Sequence, residues 1–258
     1  CYGYGRDTSP MMDSLAREGV RFATAVSTTS WTLPAHAALF TGLYDPAHGA
    51  TDVQFRLADG YTTLAERFQA AGWQTMGFYG GPLLRPVFGL DQGFDRWVSC
   101  MSTPPSTIED RFDPEVLLEV NAHSHADITG PRTLEALRTQ LESAGDAPLF
   151  LFIHLWDPHY DYIPPAPYDR MFDPDYEGDL EAHDYVHNDA VHAGMDPRDL
   201  EHVIALYDGE IRFTDDILAQ LLETLDRARP DRERLTLVTA DHGEEFFEHG
   251  GKGHQRTL

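Results

Sequence analysis

Near its carboxyl end the chain reads Asp241-His242-Gly243 and, shortly after, Gly251-Lys252-Gly253-His254. A carboxylate beside an imidazole can bind one divalent cation, the oxygen suiting hard ions and the nitrogen suiting zinc or manganese. Lys252 is the only lysine in the sequence, and a compact ammonium on a long stem serves an anionic group as a point charge. A second stretch, Ser30-Trp31-Thr32-Leu33-Pro34-Ala35-His36, has a proline suited to the first turn of a helix. That places Thr32 at or just before the N-cap, where free N–H groups and the positive end of the dipole favour an alkoxide or a bound anion. An ordinary capping role explains the same threonine. The third stretch, His154-Leu155-Trp156-Asp157-Pro158-His159, follows an apolar run, and His159 reads either as a ligand-facing imidazole or as a turn histidine.

These groups need elements to present them. Ser9-Pro10, then Met11, Met12, Leu15 and Ala16, stopped by Gly19, predicts a helix. Further helices are expected over Thr62–Ala71, Thr133–Ala144 and Leu200–Leu225 from their apolar spacing. Val20–Val26 is expected to be extended and Trp73–Phe78 to be a strand. The continuous apolar runs Leu149–Ile153 and Leu235–Ala240 are expected as strands buried on both faces. Alternating strands and helices imply an α/β fold, a three-layer sandwich around a mainly parallel sheet. Thr32, His159 and Asp241 then fall at strand ends or a helix start, where open α/β sheets place ligands. The stretch from Asp157 to Asp199, rich in Pro, Asp and His, reads as an insertion within one domain spanning residues 1–258. Its histidines, with Asp215-Asp216 on the long helix, read as solvated positions.

Composition narrows the partners. The 19 basic and 43 acidic residues give a net charge of −24, a field that repels nucleic acid and anionic membrane surfaces. Two cysteines, Cys1 and Cys100, provide neither a disulfide framework nor a cysteine metal cluster. No apolar run approaches the length of a membrane span.

Taken in order, these segments resemble the sulfatase branch of the alkaline phosphatase superfamily over essentially the whole chain. The similarity is carried by Cys1-Tyr2-Gly3-Tyr4-Gly5 with Thr8-Ser9-Pro10, and by Thr32-Leu33-Pro34-Ala35-His36 with Thr41-Gly42 and His48-Gly49. It continues through Asp157-Pro158-His159, Tyr207-Asp208-Gly209-Glu210, and Asp241-His242-Gly243 with Gly253-His254. The resemblance implies a divalent metal ion (Ca, Mn, Zn or Mg) held by Asp241 and His242 with Thr32 as the metal-activated nucleophile. It also implies Lys252, His159 and His36 on the substrate side, and His254 as the proton donor, although His159 and His254 could exchange roles. The substrate it implies is a small anionic ester: a sulfated or phosphorylated glycan, lipid or small molecule.

Two departures bear on the chemistry. Sulfatases of this family usually carry a cysteine or serine, oxidised to formylglycine, where this chain has Thr32, and an arginine where it has His36. Threonine yields no aldehyde, so a sulfated Thr32 lacks the route by which a hydrated aldehyde expels sulfate. The expectation is therefore a metal-dependent hydrolase that favours phosphate esters. A sulfuric ester hydrolase, a phosphoryl-group transferase and a non-catalytic anion-binding domain stand as alternatives. The second departure is that the family's first metal-binding strand precedes the segment matching Cys1–Gly5, and the family continues past Leu258. The chain is thus expected to be a piece of a longer reading frame, lacking the first strand and a C-terminal part and inactive alone. A leader upstream would make the parent periplasmic, secreted or membrane-anchored; otherwise it is cytoplasmic.

Overall fold

The computed structural model describes residues 2–102, 120 and 124–254. Cys1 and His123 lie outside the described residues. In chain order the elements are α1 (Pro10–Glu18), α2 (Thr32–Thr41), α3 (Asp45–His48), α4 (Leu64–Ala70), β1 (Gln74–Tyr79) and β2 (Arg96–Ser99). They continue with α5 (Gly130–Glu142), β3 (Leu149–Ile153), α6 (Pro197–Ala228), β4 (Glu245–Phe246) and β5 (Lys252–Gly253). No helix among the described residues is long and apolar enough to cross a membrane. The chain divides into two compact units, one of Ser27–Trp156 and one of Cys1–Val26 with Asp157–Thr257.

The first of these holds a parallel sheet in the order β2-β1-β3. Its core is aromatic: Trp97 stacks on Phe152 at 5.8 Å and on Tyr79 at 5.3 Å, while Phe40 of α2 meets Phe152 edge-on at 4.8 Å. Leu33, Ala37 and Phe40 turn the apolar face of α2 into this cluster, and Gly42 ends the helix in the left-handed region at φ 70°. Thr63 and Glu66 close α4 with a reciprocal capping box. A Cβ on Gly77 of β1 would lie 2.1 Å from the Trp97 ring, so only glycine lets the indole lie across the strand. β3 forms where the apolar run predicts, but its residues are half-buried rather than sealed on both faces.

In the other unit α6 is the organising element. Asp208 accepts from Tyr4 Oη at 2.7 Å and from Arg6 at 2.6 Å. Asp215 accepts the first free N–H groups of α1, from Met11 at 2.6 Å and Met12 at 2.9 Å. Asp215 is therefore fully buried rather than solvated. The cap of α1 comes from this carboxylate, the hydroxyl of Ser9 making no capping bond. The insertion is also no open loop: Ala182, Tyr185 and Val191 are buried with Tyr162, Val203 and Phe246. Beside it, on α6, His202 is pinned between Asp173, at 2.9 Å, and the face of Tyr176, at 3.6 Å. The short antiparallel pair β4–β5 is closed by Glu245, whose Oε1 accepts from the N–H groups of His249 and Gly251, each at 2.8 Å.

Two expectations fail here. Val20–Val26 and Leu235–Ala240 form no strand, and Leu235 and Leu237 are 87% and 81% exposed. An apolar run becomes a strand only where a neighbour satisfies its backbone groups, and no ladder among the described residues includes these segments.

Two tests follow from the packing. Gly77→Ala drives a methyl into Trp97 and is expected to destabilise by about 1–3 kcal/mol through overpacking, read from denaturant unfolding. Glu210, buried on α6, is pushed up to about 9 by burial and then by the nearby negative charge of Asp157, against one hydrogen bond from Ile163 N–H. The folded protein keeps this proton while the unfolded chain loses it near 4.5. Stability from this group is thus complete below that value and falls as pH rises to about 9. Glu210→Gln, which cannot ionise, is expected to flatten the fall in melting temperature across that window.

Candidate functional site

The predicted site residues divide between the two units. Thr32 and His36 belong to Ser27–Trp156, whereas His159, Asp241, His242, Lys252 and His254 belong to the other unit.

Thr32 is the first residue of α2, with Trp31 as the N-cap. It stands one place further into the helix than the sequence suggests, because Trp31 already has extended backbone angles, and it does not act as the cap. The residue is 1% exposed. The positive end of the helix dipole lies at this hydroxyl. His36 follows one turn later and donates from Nδ1 to the Thr32 carbonyl oxygen at 2.8 Å. Its ring sits edge-on to Phe152 at 5.7 Å and to His154 at 5.1 Å. His36 thus locks the turn that carries Thr32.

The histidines of the other unit gather. The ring of His254 lies 4.3 Å from that of His242 and 4.9 Å from that of His159, centre to centre, with Tyr160 stacked against it at 4.9 Å. Each imidazole is oriented through Nδ1. His242 meets the Gly243 carbonyl at 3.0 Å and His159 the Tyr160 carbonyl at 2.5 Å. A carbonyl only accepts, so Nδ1 carries the proton in both and the lone pair is on Nε2. His254 differs: its Nδ1 meets the carboxylate oxygen Oε1 of Glu244 at 2.5 Å.

The donor set suits a divalent cation. Asp241 Oδ2 lies 3.5 Å from His242 Nε2. The Gly243 carbonyl fixes His242 in the ligating tautomer. Ligand atoms of His242, Glu244 and His254 also lie within 4.8 Å of one another. Glu244 was not singled out from sequence; its only signal is its place directly after the Asp-His-Gly segment.

Lys252 is anchored. Its ammonium donates to the carbonyls of Asn188 at 2.9 Å and Val191 at 2.7 Å, above the ring of Tyr185. It fastens the insertion to β5, two residues before His254.

The chain matches the family model for Sulfatase over residues 1–257. The ulvan-active sulfatase of Formosa agariphila is 25% identical over 256 residues, covering 94% of this chain and 47% of that protein. The chain thus spans about half the length of that relative. The phosphonate monoester hydrolase of Silicibacter pomeroyi has a similar fold, with a TM-score of 0.69 at 18% identity over 96% of this chain and 60% of that one. The zinc complex of the C-terminal periplasmic domain of EcEptC from Escherichia coli gives a TM-score of 0.63 at 16% identity, over 98% and 62%. The fold is accordingly the α/β fold of the alkaline phosphatase superfamily, and the chain belongs to the sulfatase family.

Proposed function

We propose that the protein containing this chain is a metal-dependent hydrolase that cleaves small anionic phosphate esters through a covalent threonine intermediate. The observation that carries this is Thr32 itself, a buried hydroxyl at the first residue of a helix, where the family's sulfatases use an oxidisable cysteine or serine. A divalent ion at Asp241 and His242 would supply Lewis-acid polarisation of the ester.

The residues then do the following. Thr32 Oγ1, as the alkoxide with its proton already lost to water, attacks the phosphorus, its bond forming as the bond to the leaving oxygen breaks. His254 donates its Nε2 proton to that oxygen. Of the two candidate imidazoles it is the one whose Nδ1 meets a carboxylate, while that of His159 meets a backbone carbonyl. Water, giving up a proton to the emptied Nε2 of His254, then attacks phosphorus and releases Thr32 as the alkoxide. A sulfated threonine lacks the aldehyde route, and attack by water at sulfur is slower, which sets the preference for phosphate. Lys252 contributes positive charge towards the ester's oxygens.

In the intact protein, aryl phosphodiesters or monoesters are expected to turn over faster than the matching aryl sulfates with the same metal. The opposite order would sink the phosphate assignment. Thr32→Ala is expected to lower kcat by several orders of magnitude, with Thr32→Ser keeping part of it. Chelation should abolish turnover and His242→Ala should weaken metal binding by about 10-fold or more, measured by calorimetry without substrate.

A further inference from the structure

Glu210 ties the start of the insertion to α6. It is 3% exposed, and its Oε1 accepts the N–H of Ile163 at 3.0 Å. Its Oε2 is buried with no hydrogen-bond partner among the described residues. Asp157, 5% exposed, is the acidic group that bears on it from the insertion, and its negative charge raises the cost of ionising Glu210. The charged neighbours on α6 are engaged elsewhere, Asp208 with Arg6 and Arg212 with Asp216 at 3.2 Å. The residues that follow Ile163 press on the same turn of the helix. A Cβ on Gly209 would lie 2.6 Å from the Tyr168 carbonyl oxygen and 3.0 Å from Pro164 Cγ. The Tyr168 hydroxyl donates to Asp216 at 2.8 Å. This segment also carries His159 and Tyr160, whose rings each lie 4.9 Å from that of His254.

We propose that Glu210 is the positioning residue for the segment of residues 157–168: it seats that segment on α6 and so sets where His159 stands on the substrate side. The proposal rests on the ester-hydrolase reading and on His159 facing the substrate. Two conditions meet in this one side chain. The Ile163 amide needs an acceptor where it lies, and Glu210 Oε1 supplies it. A charged Glu210 would place a second carboxylate near Asp157 in a buried region, which desolvation and repulsion both oppose. The neutral acid satisfies both: one oxygen accepts from Ile163, and a proton on the other removes the second charge. Gly209 admits the segment to the helix, and Glu210 fixes its register there. Loss of the proton restores the repulsion from Asp157, which stands two places before His159. The seat then loosens at the end that carries the imidazole.

The test uses the intact protein with 4-nitrophenyl phosphate and one metal, KM and kcat being followed from neutral pH to about one unit above the Glu210 transition. His159→Ala is expected to raise KM by about 10-fold. Glu210→Ala leaves the Ile163 amide without its acceptor and should raise KM by about 10-fold, with kcat within about threefold. Glu210→Gln keeps an uncharged side chain with an acceptor for that amide, and should hold KM within about twofold. In the unmodified protein KM should climb as pH passes about 9, whereas in Glu210→Gln it should not. Groups common to both proteins, Lys252 and the substrate among them, cancel in that comparison. Hydrogen exchange in the peptide spanning residues 157–163 gives a measure without substrate. It should quicken in Glu210→Ala and stay unchanged in Glu210→Gln. If His159→Ala leaves KM and kcat unchanged, the substrate-side reading of His159 fails and the proposal with it. If His159→Ala raises KM and Glu210→Ala does not, the positioning role alone is overturned. A KM that climbs with pH in Glu210→Gln as it does in the unmodified protein overturns it equally, and needs no folded alanine variant. Should the unmodified protein not turn over the phosphate, the hydrolase reading falls, while unchanged exchange in Glu210→Ala would separately show that Glu210 does not hold the segment.

Discussion

The unit built around α6 is governed by one electrostatic constraint: acidic groups must be buried in a chain with 43 acidic residues and 19 arginines or lysines. Three carboxylates on this helix are buried, Asp208, Glu210 and Asp215. Each meets the cost of desolvation differently. Asp208 takes a guanidinium and a phenol, and Asp215 takes the N-terminus of another helix. Glu210, lacking either, keeps its proton. Two of these solutions recruit residues 4–12, so the start of the chain is tied to a helix two hundred positions away (|i−j| 202 to 204) by charge rather than by apolar packing.

The local elements were legible because their signals are local. Ser9-Pro10 and Gly19 bound α1 to the residue, and the run Leu149–Ile153 became β3 without a shift. Helix α2 begins one residue earlier than the N-cap place that the sequence assigns to Thr32 would have it, because Trp31 rather than Thr32 leaves the helical angles. Burial was less legible, since it depends on what arrives from elsewhere. Asp215 looks solvated until α1 lands on it, and Leu235–Ala240 looks buried until its neighbours are counted. Strand β2, four residues from Arg96 to Ser99 with mixed polarity, has no apolar period to announce it.

The site follows the same division. Asp241, His242, His159, Lys252 and His254 were legible as chemistry-bearing types beside turn residues, and three of the imidazoles do gather. What holds them was not. Two carbonyls and one carboxylate select the tautomers, and a carbonyl has no sequence signature. Lys252 reads in sequence as a charge for a substrate, yet two of its hydrogen bonds go to backbone carbonyls of the insertion.

That tether has a consequence for how such a protein can diversify. The carbonyls of Asn188 and Val191 accept from Lys252 whatever their side chains are, so the insertion can change composition freely at its exposed positions without losing its mooring. A change in its length is different, because it would move the two acceptors off the ammonium. The lone lysine thus acts as a ruler for the loop: permissive to sequence, strict about spacing. Grafting a shorter or longer insertion from a relative would need a compensating change at position 252 itself.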